Sequence, residues 1–167
     1  MRYAPIAAAL SLLIAVNASV GQGAEPEADP RAAVLIAEGR AALEAGEPQE
    51  AVDAFEAAFA VDPAYTPILL DLAYAARRQE LQGKAIRYYR EVQARDPRNF
   101  AAIAGEGEAL IEKGAIEKAR SNLARLESHC GANCPETLAL AERLETGAQP
   151  RMVTAESLLP DPIIIQN

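Results

Sequence analysis

Tryptophan is absent from this sequence, and phenylalanine (3) and tyrosine (5) are scarce among its 167 residues. A β-sandwich rich in large aromatic side chains therefore has little to draw on. Alanine carries much of the apolar half, which suits closely packed helices. Histidine occurs once, at His129, so a Ser–His or Cys–His nucleophile would have to be built around that imidazole. Two cysteines with His129 offer three ligands where a structural zinc site wants four. Dense basic runs are missing and the net charge is -8, so phosphate-rich surfaces, nucleic acid and anionic lipid are repelled. No phosphate-cradling glycine loop and no nucleic-acid motif is present. Acidic pairs such as Glu106 and Glu108 read as solvated side chains on surface helices. The expectation is a chain with no catalytic set, no cofactor and no metal, of the size of one domain.

Long apolar stretches are also missing. Met1-Arg2 leads into an apolar run over residues 6–16 and then into small residues, the layout of a secretory leader. A membrane span needs about 20 apolar residues, and this run is shorter. The sequence thus predicts a signal peptide over 1–23, cut somewhere between 18 and 24, and a periplasmic or secreted product not inserted in the membrane. No cysteine follows the run, so no lipid anchor is expected. Loss of Arg2 with the leader leaves 15 bases against 24 acids, a charge of about -9. Residues 24–31 form an acidic linker, ending in Asp29 as helix N-cap and Pro30 at the first helical position.

What the chain does have is a period. Ala51, Phe55, Ala58 and Asp62-Pro63 return at a fixed offset as Ala85, Tyr89, Val92 and Asp96-Pro97, and once more as Ala119, Leu123 and Leu126. Leu35, Leu69 and Ile103 correspond in the same way, as do Gly39, Ala73 and Gly107, and Ala42, Ala76 and Leu110. Gly46, Glu80 and Gly114 fall at the turn between the two helices of each unit. The pattern resembles the tetratricopeptide repeat (TPR), a helix–turn–helix unit of about 34 residues. The resemblance implies an all-α, right-handed superhelical solenoid of three units, over 32–65, 66–99 and 100–133. A cap helix follows over 134–147, with Leu138, Ala141 and Leu144 as its apolar stripe. Three departures stand out: an aliphatic residue replaces the early aromatic of each unit, Glu80 replaces a turn glycine, and Gly131 replaces the third terminal proline.

From 148 to 167 the prolines and the lack of helical period suggest an extended tail, disordered, self-docked or a ligand strand. Cys130 and Cys134 lie four apart in a chain expected to be exported, which favours a disulfide that sets the chain direction before the cap helix. Thiol cycling at Cys134, near a helix start, is the sharper alternative. Cys-Gly-x-x-Cys-Pro after a TPR array resembles a subgroup of small exported bacterial proteins.

In this family the first helix of each unit lines a concave groove. The resemblance places Ile36, Arg40, Leu43 and Glu44 there, then Leu70, Asp71, Tyr74, Arg77 and Arg78, then Ala104, Glu108, Ile111 and Glu112. Arg40, Tyr74 and Arg77 are expected to form a cationic and aromatic platform for a carboxylate or an acidic segment, with Glu108 and Glu112 making the far end acidic. The chaperone-binding subgroup uses a Lys/Asn carboxylate clamp. Its matching positions here hold Ile36, Arg40, Tyr74, Ala101 and Gly105, so that ligand does not carry over. The expected function is a non-enzymatic scaffold that binds a protein or peptide segment. An accessory role in envelope thiol chemistry or in cytochrome or envelope complex assembly is the alternative.

Overall fold

In the computed structural model, which describes residues 27–147, Asp29 opens the first helix. Its carboxylate accepts from the Arg31 backbone N–H at 2.8 Å, and Pro30 fills a position whose N–H would have had no partner. The expected leader, the first part of the acidic linker and the expected tail lie outside the described residues. Those residues form seven helices and no strand: α1 (Pro30–Ala45), α2 (Pro48–Val61), α3 (Pro67–Arg78), α4 (Gln82–Arg95), α5 (Phe100–Glu112), α6 (Ile116–His129) and α7 (Pro135–Gly147). Helices α1 and α2, α3 and α4, and α5 and α6 pack as hairpins, while α2 meets α3, α4 meets α5, and α7 closes on α5 and α6. This is an all-α helical repeat solenoid.

The hairpin turns fall at one register. Gly46 and Gly114 both have φ 81°, and Glu80 between them has φ 60°. A left-handed residue lets the last helical carbonyls find N–H partners, as Glu47 N–H does with Ala42 O and Leu81 N–H with Ala76 O. Glycine takes this conformation freely, whereas the Cβ of glutamate crowds its own carbonyl. Glu80 is exposed and keeps only its backbone bond to Arg77 O. Glu80→Gly is therefore expected to raise stability by about 0.5–1 kcal/mol, the strain relief outweighing the extra unfolded-state entropy of glycine. Thermal unfolding checks this, and an unchanged or lower midpoint would show that Glu80 is not strained.

Close approach is the second device. The ring of Phe55 lies on Gly39, where an added Cβ would meet Phe55 Cε1 at 2.5 Å. Tyr89 lies in the same way on Gly105, one helix into the next unit, and Leu140 of α7 lies on Gly107. Phe55, Ile68, Leu69, Leu72, Val92, Ile103, Leu126 and Leu140 are the largest fully buried side chains, spaced by alanines that are also closed to solvent. Leu35 is only partly covered, because α1 has packed helices on one side alone among the described residues.

The cap helix corrects the expected stripe. Leu138 is 55% exposed, and the buried face of α7 is Thr137, Leu140 and Leu144. The reason is the repeat itself: Thr137, Ala141 and Leu144 stand one full period after Ile103, Gly107 and Leu110. Helix α7 packs as the first helix of a fourth unit, not as an independently amphipathic lid. Before it, Cys130 and Cys134 are paired as a disulfide with Cα atoms 5.7 Å apart, and Gly131 turns the chain at φ 98°. A loop this short contributes little entropy, about 1–2 kcal/mol by extrapolation.

A second correction concerns Glu106. Far from being solvated, it is 5% exposed between α4, α5 and α6. Its carboxylate accepts from Arg90 Nε at 2.7 Å, Gln93 Nε2 at 2.8 Å and Asn122 Nδ2 at 3.2 Å. Arg125 extends the network by donating to Gln93 Oε1 at 2.9 Å. A carboxylate can accept about four hydrogen bonds, so three donors offset most of what burial costs it.

Candidate functional site

The first helices of the units, α1, α3 and α5, lie side by side, and α7 extends the row. Two hollows run along it. The first, about 410 Å³, is bounded by Ile36, Arg40, Glu44 and Tyr65 with a floor of alanines on α1. The second, about 430 Å³, is bounded by Tyr74 and Arg77 of α3, Ala101, Ala104, Gly105 and Glu108 of α5, and Pro135, Glu136 and Ala139 of α7. Tyr89 reaches this second hollow from α4 because Gly105 leaves room for its ring.

The charges are arranged differently from the expected platform. Arg40 donates from Nη2 to Asp71 at 2.8 Å, across from α1 to α3. Arg77 repeats the arrangement one unit later, with Nη1 at 2.7 Å from Glu108 and its other nitrogens on Glu112. Arg143 of α7 adds a looser approach to Glu112 at 3.7 Å. Arg77 is the more enclosed of the two arginines, its side chain 14% exposed against 56% for Arg40. Burial opposes its charge, but Glu112, Tyr89 and Glu108 outweigh that and hold the guanidinium more firmly protonated than usual. Neither arginine is a free cation, because acids on the neighbouring first helix reach back to each of them.

Of the residues singled out in the sequence, Tyr74, Arg77 and Glu108 converge on the second hollow, and Arg40 and Glu44 on the first. Asp71 acts through Arg40. Glu112 holds Arg77 and borders a separate depression with Arg143 and Gly147. Leu70 lies away from these, in a hollow formed by the turns near Tyr65 and Asn99. Ala104, 6% exposed, still bounds the second hollow, whereas Ile111, also expected to face the groove, is 7% exposed and lies against Gly147 of α7. Sequence reasoning missed Pro135, Glu136, Ala139 and Tyr89. One more step of the period carries Ala101 onto Pro135 and Gly105 onto Ala139, so the repeat did hold that signal.

Burial pushes the Tyr89 phenol above its ordinary value of 10.0, with the neighbouring Arg77 guanidinium pulling the other way. The folded state therefore keeps a proton that the unfolded chain releases first. Stability is expected to be unaffected below pH of about 10 and to fall as pH rises through and beyond it. Urea midpoints between pH 8 and 11 test this: Tyr89→Phe should flatten the decline, and an equally steep decline in that variant would place its origin elsewhere.

Donor atoms of Cys130, Cys134 and Glu136 lie within 4.8 Å of one another. With both sulfurs tied in the disulfide, the Glu136 carboxylate alone could ligate a metal. His129, expected as the possible third ligand, is exposed and outside this group. Cys134 is 8% exposed at the start of α7, and Cys130 is half-buried, so an attacking thiol would reach this disulfide through Cys130. No helix among the described residues is long and apolar enough to cross a membrane.

The row of first helices framed by second helices defines a TPR-like domain, and solved structures bear this out. The chain is similar to the Sgt2 TPR domain from Aspergillus fumigatus, with a TM-score of 0.65 and 21% identity over 84% of this chain and 91% of that one. The first TPR of Spaghetti (RPAP3), bound to the HSP90 peptide SRMEEVD, matches at 0.63 and 20%, over 76% and 97%. The second TPR domain of human RPAP3, in complex with the HSP70 peptide SGPTIEEVD, matches at 0.61 and 15%, over 69% and 95%. No family model and no curated protein matches the sequence.

Proposed function

We propose that this chain is a non-enzymatic scaffold that holds a segment of a partner protein along the row of α1, α3, α5 and α7. One observation carries the reading. Tyr74, a large amphipathic side chain 47% exposed, borders a hollow floored by the exposed Ala101 and Ala139, with the Tyr89 ring filling the space over Gly105. Small residues there let a bound backbone come close, and an exposed aromatic beside them supplies contact area at low entropic cost. Similar folds are known with peptides bound, as the two RPAP3 domains show for themselves. The acidic peptides of those domains are not part of this reading, since the clamp positions here hold Ile36, Arg40, Tyr74, Ala101 and Gly105. The leader-like N-terminus and the Cys130–Cys134 pair support a periplasmic or secreted setting, where disulfides persist.

Tyr74→Ala is the direct test. An exposed side chain contributes little to folding, so thermal unfolding should be unchanged within about 0.5 kcal/mol. Affinity for a partner recovered by crosslinking should fall about tenfold or more, as expected for a central aromatic contact. The matching Arg87→Ala change, at an exposed position of α4 outside the hollow, should leave binding intact. Equal loss in both variants, or none at Tyr74, would sink the reading.

A further inference from the structure

From the ion pairing along the same channel we infer its ligand class: a segment carrying net positive charge, with a lysine or arginine seated beside Tyr74 between Glu108 and Glu136. The inference rests on the channel being a binding site and adds the sign of what it binds.

Two arginines enter the channel and neither offers an unpaired cation. Arg40 is held by Asp71, and Arg77 by Glu108 and Glu112 together. An acidic segment would have to displace these carboxylates, and Arg77, mostly enclosed, would be reached only by breaking two pairs at once. The acids are in excess. Glu44 in the first hollow and Glu136 in the second have no basic partner among the described residues. Arg77 divides its charge between Glu108 and Glu112, with Arg143 of α7 approaching Glu112 at 3.7 Å, and the Glu108 side chain stays 24% exposed and open to a further cation. The chain as a whole carries -8, which draws cationic partners toward it. Tyr74 completes the set, because the face of an exposed phenol attracts an ammonium or guanidinium group. An aromatic flanked by two carboxylates over a floor of Ala101 and Ala139 is a receptor for a long cationic side chain. Its aliphatic stem would lie on the floor and its head between the acids.

The observable consequence is reversal of the expected ligand sign. A random dodecamer library displayed on phage, selected on the full-length protein, is the experiment. Enriched peptides should be net basic. They should lose binding tenfold or more in Tyr74→Ala and in Glu108→Gln/Glu136→Gln, and weaken steeply as salt is raised from dilute buffer to well above physiological strength. Circular dichroism and thermal unfolding of each variant separate lost binding from lost folding. Enrichment of acidic or neutral peptides that still depend on Tyr74 would overturn the charge assignment and leave the channel standing as a binding site. Peptides indifferent to Tyr74, or no enrichment above an unrelated protein, would overturn both.

Discussion

Phe55→Ala should lower the stability of the domain by about 3–5 kcal/mol, the upper range for removing a buried side chain. Phe55 is fully buried, and its ring is pressed on the backbone of Gly39, which has no side chain to move into the space left behind. The cavity can close only by shifting α1 against α2. A domain of this size is stable by roughly 5–15 kcal/mol, so the variant should sit near the edge of unfolding at room temperature. A double-mutant cycle gives the sharper result. Gly39→Val alone drives a branched side chain into the ring and should cost about 1–3 kcal/mol. Combined with Phe55→Ala it occupies vacated volume, so the two losses should fall short of their sum by more than about 1 kcal/mol. Additive losses in urea titrations would show that ring and glycine do not depend on each other.

Glu106→Ala is the second large effect, about 2–4 kcal/mol of destabilisation. Removing the carboxylate leaves the amide of Asn122, itself 6% exposed, with only its bond to Ile103 O at 3.2 Å. Gln93 loses its acceptor at 2.8 Å as well. The effect falls short of a fully buried ion pair because Arg90 is 59% exposed and regains water. Arg90→Ala should cost less, about 1–2 kcal/mol, because Gln93 and Asn122 still donate to the buried carboxylate, and the inequality between the two partners is the diagnostic. Equal costs would mean that the ion pair, and not the satisfied amides, is what the site depends on. Chemical denaturation of both variants decides it.

These two sites mark how far the residues alone could be read. Phe55 and Gly39 sit on different helices, yet the repeat period identified each as part of a recurring set, so their burial was legible. Glu80 was legible too, as the odd member of a turn series, and its positive φ follows from its place in that series. Glu106 was not. Nothing near it in sequence distinguishes it from Glu108, and its donors arrive from α4 and α6, 13 to 16 positions away. The groove failed in part for the same reason. Arg40 and Arg77 were placed correctly on the first helices, but the acids that neutralise them belong to the next helix in the row. Charge on a solenoid is set between units, and the internal pattern of one unit does not contain it. Leu138 was misread by the opposite error: α7 was judged by its own spacing, which held for Leu144, when the repeat period, carried one step further, pointed to Thr137 in place of Leu138.

The bonds from Arg40 to Asp71 and from Arg77 to Glu108 and Glu112 have a mechanical meaning as well. Each joins one first helix to the next along the row, α1 to α3 and α3 to α5. They are polar struts laid over the apolar packing of α2 on α3 and of α4 on α5. Concentrated salt weakens such struts by screening. The Arg40–Asp71 strut, the more exposed, is expected to be screened first, and the enclosed Arg77 pairs to persist to higher ionic strength.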